Sequence, residues 1–112
     1  MFAGKEVRIF LKGQAKEAFI ELKRRNDKES LTLLRSFERI KNILENNPQY
    51  GDPIRKEMIP EQLKKQGIQN LYRTELSNFW RMLYTLEGNK IEVFVFILTI
   101  TDHPKYDKMF GY

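Results

Sequence analysis

Cysteine is absent from the 112 residues, and histidine occurs once, at His103. Disulfides and thiolate metal sites are therefore excluded, and a histidine-rich zinc site has nothing to build on unless several carboxylates gather around that one imidazole. Long apolar runs are missing too: none approaches the ~20 residues that a transmembrane helix needs. The opening MFAGKEVRIF carries charge too early for a signal peptide. No linker and no internal repeat interrupts the chain, so residues 1–112 read as one domain, long enough for a real core and too short for two. The expectation is a soluble, cytoplasmic protein with no cofactor, no metal and no membrane partner.

What is present is a basic balance. Twenty Lys+Arg against fifteen Asp+Glu leave a formal net charge of +5 and a sequence pI near 9.5, which favours nucleic acid or an acidic protein as partner.

Residues 71–101, LYRTELSNFWRMLYTLEGNKIEVFVFILTIT, organise the rest. Turn signals at Ser77-Asn78 and Gly88-Asn89 separate three runs rich in aromatic and β-branched residues, the composition of an antiparallel meander. Alternation sets Tyr72, Thr74 and Leu76 on one face of the first strand and Arg73 and Glu75 on the other. Trp80, Met82, Tyr84 and Leu86 must join the first face, which requires Leu76 to pair with Trp80 and Glu75 to lie opposite Arg81. The third strand is apolar on both faces, with Val93, Val95 and Ile97 on one and Phe94, Phe96, Leu98 and Ile100 on the other, so it is central or covered twice. Pairing Leu86 with Ile91 across the second turn sets Arg81 beside Phe96 and Leu83 beside Phe94.

Upstream, residues 7–11 alternate as a further strand, and Ala15, Ala18, Phe19 and Leu22 form the stripe of a helix over 14–26. Lys23, Arg24 and Arg25 crowd its end, where cations complement the helix dipole. A second helix over 30–46 carries Leu33, Phe37, Ile40 and Leu44 and stops before Pro48. The two form a hairpin laid on the apolar face of the sheet. Residues 50–60 read as a shaped loop with Arg55 and Lys56 in its middle, and a short helix over 61–66 follows. Past the meander, Pro104 breaks the strand and an aromatic tail begins.

Unusual residues collect at the sheet's ends: Arg73, Glu75 and Arg81 on one face, and His103, Tyr106 and Asp107 just past the last strand. Guanidinium groups bind phosphate bidentately and histidine exchanges a proton near neutral pH, so the set suits phosphate chemistry. Singly, each has a plainer role. Glu75 and Arg81 make a cross-strand ion pair worth ~0.2–1 kcal/mol, His103 caps or turns the chain, and Trp80 and Tyr84 are core.

The element order, with YRTEL…FWRMLYTLEGNKIEVFVFILTITDHPKYDKMF, resembles the RelE/ParE superfamily of bacterial and archaeal toxins across nearly the whole chain. The resemblance implies an α+β fold in which an N-terminal strand and helical hairpin pack on a twisted antiparallel meander. RelE-like members cut mRNA in the ribosomal A site, ParE-like members poison DNA gyrase, and a cognate antitoxin wraps either kind; a degenerate, non-catalytic binding protein that keeps the fold is the third alternative. It further implies, position by position, that Arg81 stabilises phosphate charge with Arg73, and that His103 stands where nuclease members carry arginine or histidine. Tyr106 approximates an aromatic residue of the tail. Glu75 departs from the lysine common in RelE, which leaves Glu75 or His103 as general base and His103 or Tyr106 as acid. Arg55, Lys56 and the Lys23, Arg24, Arg25 cluster would grip the RNA backbone. The implied partners are ribosome, mRNA and an acidic antitoxin encoded next to the toxin.

Overall fold

The alternation that starts at Glu6 builds strand β1, Glu6–Leu11, with Val7, Ile9 and Leu11 half-buried and Glu6, Arg8 and Phe10 exposed. The computed structural model describes residues 1–111; Tyr112, the end of the predicted tail, lies outside them. Gly13, at φ +51, turns the chain into helix α1, Gly13–Arg25. Asn26 in the left-handed region ends α1, and Asp27 then caps helix α2, Lys28–Asn46, by accepting the Ser30 N–H at 2.7 Å. The stripe Leu33, Phe37, Ile40 and Leu44 is buried, each side chain worth ~1.5–3 kcal/mol. The predicted hairpin is present.

The remaining strands and α-helices are β2 (Asp52–Pro53), α3 (Glu61–Lys64), β3 (Tyr72–Glu75), β4 (Arg81–Gly88), β5 (Glu92–Thr101) and α4 (His103–Met109). One mixed sheet takes the strands in the order β1-β5-β4-β3-β2, with β1 parallel to β5 and the other pairs antiparallel. The helical hairpin covers the face carrying Tyr72, Met82, Tyr84, Val95 and Ile97, and that layer holds the main core. A second, smaller core lies on the opposite face, where Leu83 meets Ile59, Leu63, Leu71 and Tyr106. α3 and α4 cover it.

The β3–β4 register is the one that parity demands: Glu75 pairs with Arg81, and the Leu76 N–H donates to the Trp80 carbonyl at 2.8 Å. The loop between them, Ser77–Phe79, is a single 3-10 turn. Its Ser77 hydroxyl donates to the Thr32 carbonyl at 3.3 Å and lies 3.1 Å from the Ser36 hydroxyl, tying the turn to α2.

Three expectations are corrected. Arg81 pairs with Thr101 and Leu83 with Thr99, not with Phe96 and Phe94. The cause is twofold: the Asn89 side chain accepts the N–H groups of Ile91 and Glu92 and widens the turn, so pairing begins at Gly88 and Val93, and a bulge then leaves Leu98 unpaired. That extra residue moves Ile100 from the Phe94 face to the main core, where it is buried beside Met82. Within the predicted loop, Asp52 and Pro53 form β2 on the outer edge of β3, a position that tolerates proline. The tail, finally, is a helix. Pro104 sits in its first turn, where its missing N–H costs nothing, and Asp102 caps it by accepting the Lys105 N–H at 3.0 Å.

Candidate active site

Parity places Arg73 and Arg81 on the face away from the helical hairpin, in neighbouring strands. The end of β5 delivers α4 over that face, and Tyr106, one turn into the helix, is driven into the second core with only 5% of its surface exposed. Its ring lies under the Arg81 guanidinium, 5.6 Å from centroid to carbon, a cation–π arrangement. Its hydroxyl accepts from Arg73, and this bond raises the guanidinium pKa beyond its usual value, with Asp52 adding a smaller contribution. One buried tyrosine therefore organises both arginines.

The arginines differ in how fully they are partnered. Arg73 spans Tyr106 and Asp52, the latter at 3.3 Å. Arg81 is 14% exposed, reaches Glu75 only at 3.7 Å and the Phe79 carbonyl at 3.5 Å, and its Nε is buried with no hydrogen-bond partner. At 3.7 Å the Glu75 contact is Coulombic and too long for a hydrogen bond, so the plain ion-pair role leaves much of the guanidinium's donor capacity unused. Arg73 Nε is likewise buried and unpartnered.

His103, the first residue of α4, is half exposed, and its Nε2 lies 3.2 Å from Asp107 Oδ2 one turn on. The contact holds the ring against its own helix. Glu75 remains solvent-exposed beside Arg81. Among the described residues no cluster of three His, Asp or Glu side chains is arranged to hold a metal ion.

The predicted RNA-gripping residues divide. Arg55, 78% exposed and 3.4 Å from Glu57, lies two residues past β2, the strand that pairs with Arg73, and Lys56 is next to it in the chain. Lys23, Arg24 and Arg25 lie on the hairpin layer, away from the Arg81 face. Arg24 is bonded to Glu21, and Arg25 to Asp27 and Glu29 at 2.9 and 3.3 Å, while Lys23 sits over the Phe19 ring. Intrahelical and capping partners occupy much of that cluster. Arg25 alone reaches the sheet end, lining a cleft of about 270 Å³ with Trp80, Thr101 and Lys105.

Three lysines escaped the sequence reading. Lys65, Lys105 and Lys108 line a groove of about 600 Å³ between α3 and α4, floored by Met109 and Pro60 with Glu61 as its one acid. The available signal was the Asp102 cap, which puts Lys105 and Lys108 one turn apart on a single helix face. Comparison with family models, curated proteins and solved structures finds no match for this chain. Among the described residues no helix is long and apolar enough to cross a membrane.

Proposed function

We propose that this chain is a RelE/ParE-like toxin that cuts ribosome-bound mRNA. The observation that carries the reading is Arg81: a largely buried guanidinium, held over Tyr106 beside Arg73, whose contacts to Glu75 and the Phe79 carbonyl are 3.7 and 3.5 Å long. In the reaction a ribose 2′-hydroxyl attacks the adjacent phosphate, a base removes its proton, cations bind the developing phosphorane charge, and an acid protonates the leaving 5′-oxygen. Arg81 and Arg73 supply the charge. Glu75, exposed next to Arg81, suits the base, and the half-exposed His103 suits the acid better than Tyr106, whose hydroxyl is engaged by Arg73. The lysine groove between α3 and α4, together with Arg55 and Lys56, gives the RNA backbone contacts that position without reading sequence. An acidic antitoxin encoded beside this chain would complete the pair.

A gyrase-directed toxin is the second reading, favoured by the modest number of proton-transfer groups near Arg81. Primer extension on mRNA in a purified translation system separates the two. Breaks at defined codons with the wild type, lost with Arg81→Ala, support the nuclease. Intact message alongside inhibited gyrase supercoiling moves the reading to the second class.

A further inference from the structure

β1 is the outermost strand of the sheet. Its inner neighbour, β5, takes the N–H groups of the even-numbered positions: Glu6 donates to the Ile91 carbonyl at 3.0 Å and Lys12 to the Ile97 carbonyl at 2.9 Å. A parallel ladder alternates, so the N–H and C=O groups of Val7, Ile9 and Leu11 point outward from the sheet. Edges of this kind are templates for another strand unless proline or a bulge blunts them. β1 contains neither, and its register with β5 runs unbroken from Glu6 to Leu11; its start alone is covered, where the N-terminal turn pairs Phe2 with Lys5, so the open stretch runs from Val7 to Leu11.

The side chains along this edge are self-complementary. Set antiparallel to itself with Ile9 opposite Ile9, the segment places Val7 opposite Leu11, Arg8 opposite Phe10, and Glu6 opposite Lys12. Every outward-pointing backbone group then meets another, in three hydrogen-bonded residue pairs. Each half of the two-fold arrangement contributes one Glu6–Lys12 charge pair and one Arg8–Phe10 cation–π contact. Neighbouring registers fail. A slip of two residues in one direction sets Arg8 against Arg8, in the other Arg8 against Lys12, and odd slips oppose an outward group to an inward one.

The flanking surface supports the same register. Phe10 is 42% exposed and stacks on Phe96 at 5.5 Å and Phe94 at 6.2 Å, leaving an aromatic strip open at the edge. Arg8 is anchored by Glu92 at 2.6 Å, and Lys12 lies 4.2 Å from the Phe96 ring centre, so both cations already stand on the face where the partner's Phe10 and Glu6 would arrive.

We propose that the free edge of β1 pairs with the β1 of a second copy of this chain, antiparallel and centred on Ile9, joining two sheets into one. This is independent of the catalytic reading. The contact is short and belongs to the small, weak class of interfaces.

Charge reversal tests both the contact and its register. Glu6→Lys sets two lysines against each other at both ends of the pairing, and Lys12→Glu sets two glutamates; all these side chains are exposed, so the fold is spared. Sedimentation equilibrium of the full chain over a concentration series should show a wild-type dimer whose dissociation constant rises about tenfold or more in either variant. An equimolar mixture of the two variants should associate again, since each supplies the charges that the other lacks. The proposal is overturned by a wild type that stays monomeric into the millimolar range, which would leave the edge to a strand of another protein. It is equally overturned by a dimer that ignores both reversals, or by a mixture that fails to recover.

Discussion

Tyr106 is shared between two cations: its ring carries the Arg81 guanidinium at 5.6 Å and its hydroxyl accepts from Arg73. The geometry makes Tyr106 a positioning residue, since its surface is spent inside the protein before any ligand arrives. Tyr106→Phe keeps the ring and removes the acceptor. Denaturant titration should show a loss of about 1–3 kcal/mol as the Arg73 donor goes unsatisfied, with mRNA cleavage reduced less than tenfold. Tyr106→Ala, which also empties the second core, should cost about 3–5 kcal/mol.

Arg81 should weigh on the proposed cleavage far more than Tyr106 does. Arg81→Lys preserves one charge and forfeits the planar fork of donors. Single-turnover cleavage is expected to fall about 10²–10³-fold, while co-sedimentation with ribosomes stays near the wild-type level. A variant that cuts at the wild-type rate would remove Arg81 from the reaction.

Tyr84 answers to pH. Its hydroxyl, fully buried, donates to the Pro48 carbonyl at 2.7 Å and accepts the Gly51 N–H at 2.9 Å, and desolvation pushes its pKa up to about 12. A phenol whose folded pKa is raised binds its proton more tightly than in the unfolded chain. It therefore contributes stability that is whole below the unfolded value, about 10, and is lost as pH climbs toward 12. Tyr84→Phe should be destabilised by about 1–3 kcal/mol at neutral pH through the orphaned Gly51 and Pro48 groups. Its stability should also decline less steeply above pH 10 than that of the wild type in the same denaturant series.

Phe79 occupies the left-handed region at φ 61 with 77% of its surface exposed. A bulky side chain there is strained by roughly 1–2 kcal/mol, and little burial offsets it. Phe79→Gly relieves the strain and gives part of it back through the looser unfolded chain, for a net gain of about 1 kcal/mol. Calorimetry should record a higher Tm; a lower one would mean that the ring is held by contacts unlike those seen around it.

Much of this architecture was legible because parity is unforgiving. Tyr72, Leu76, Trp80 and Met82 can share a face in one way only, and that choice also fixes Glu75 against Arg81. The hairpin of β4 and β5 was less legible. Leu98 is apolar in a strand apolar on both faces, so an extra residue there leaves no mark on the pattern, and the Arg81–Thr101 pairing could not be read from it. Pro104 misled for a different reason: the same residue ends a strand and opens a helix, and the deciding partner, the Asp102 cap, was two positions back. Arg73 and Arg81 could be assigned to one face of neighbouring strands from sequence. The burial of Tyr106 between the arginines depends on a helix that the alternation of the tail conceals.

β5 lies between the first strand and the rest of the sheet, and its Val95, Ile97 and Ile100 floor the core on which α1 and α2 rest. During synthesis the hairpin leaves the ribosome long before that floor exists, so its Leu33, Phe37, Ile40 and Leu44 stripe has only part of its native partners, such as Phe19 against Phe37, until β5 has emerged. Such distant closure slows folding and prolongs the exposure of apolar surface. Arg73 and Arg81 acquire their shared tyrosine later still, when α4 follows β5 out of the tunnel. A nascent chain halted between Thr101 and Tyr106 carries Arg73, Glu75 and Arg81 and lacks the one side chain that holds the two arginines together.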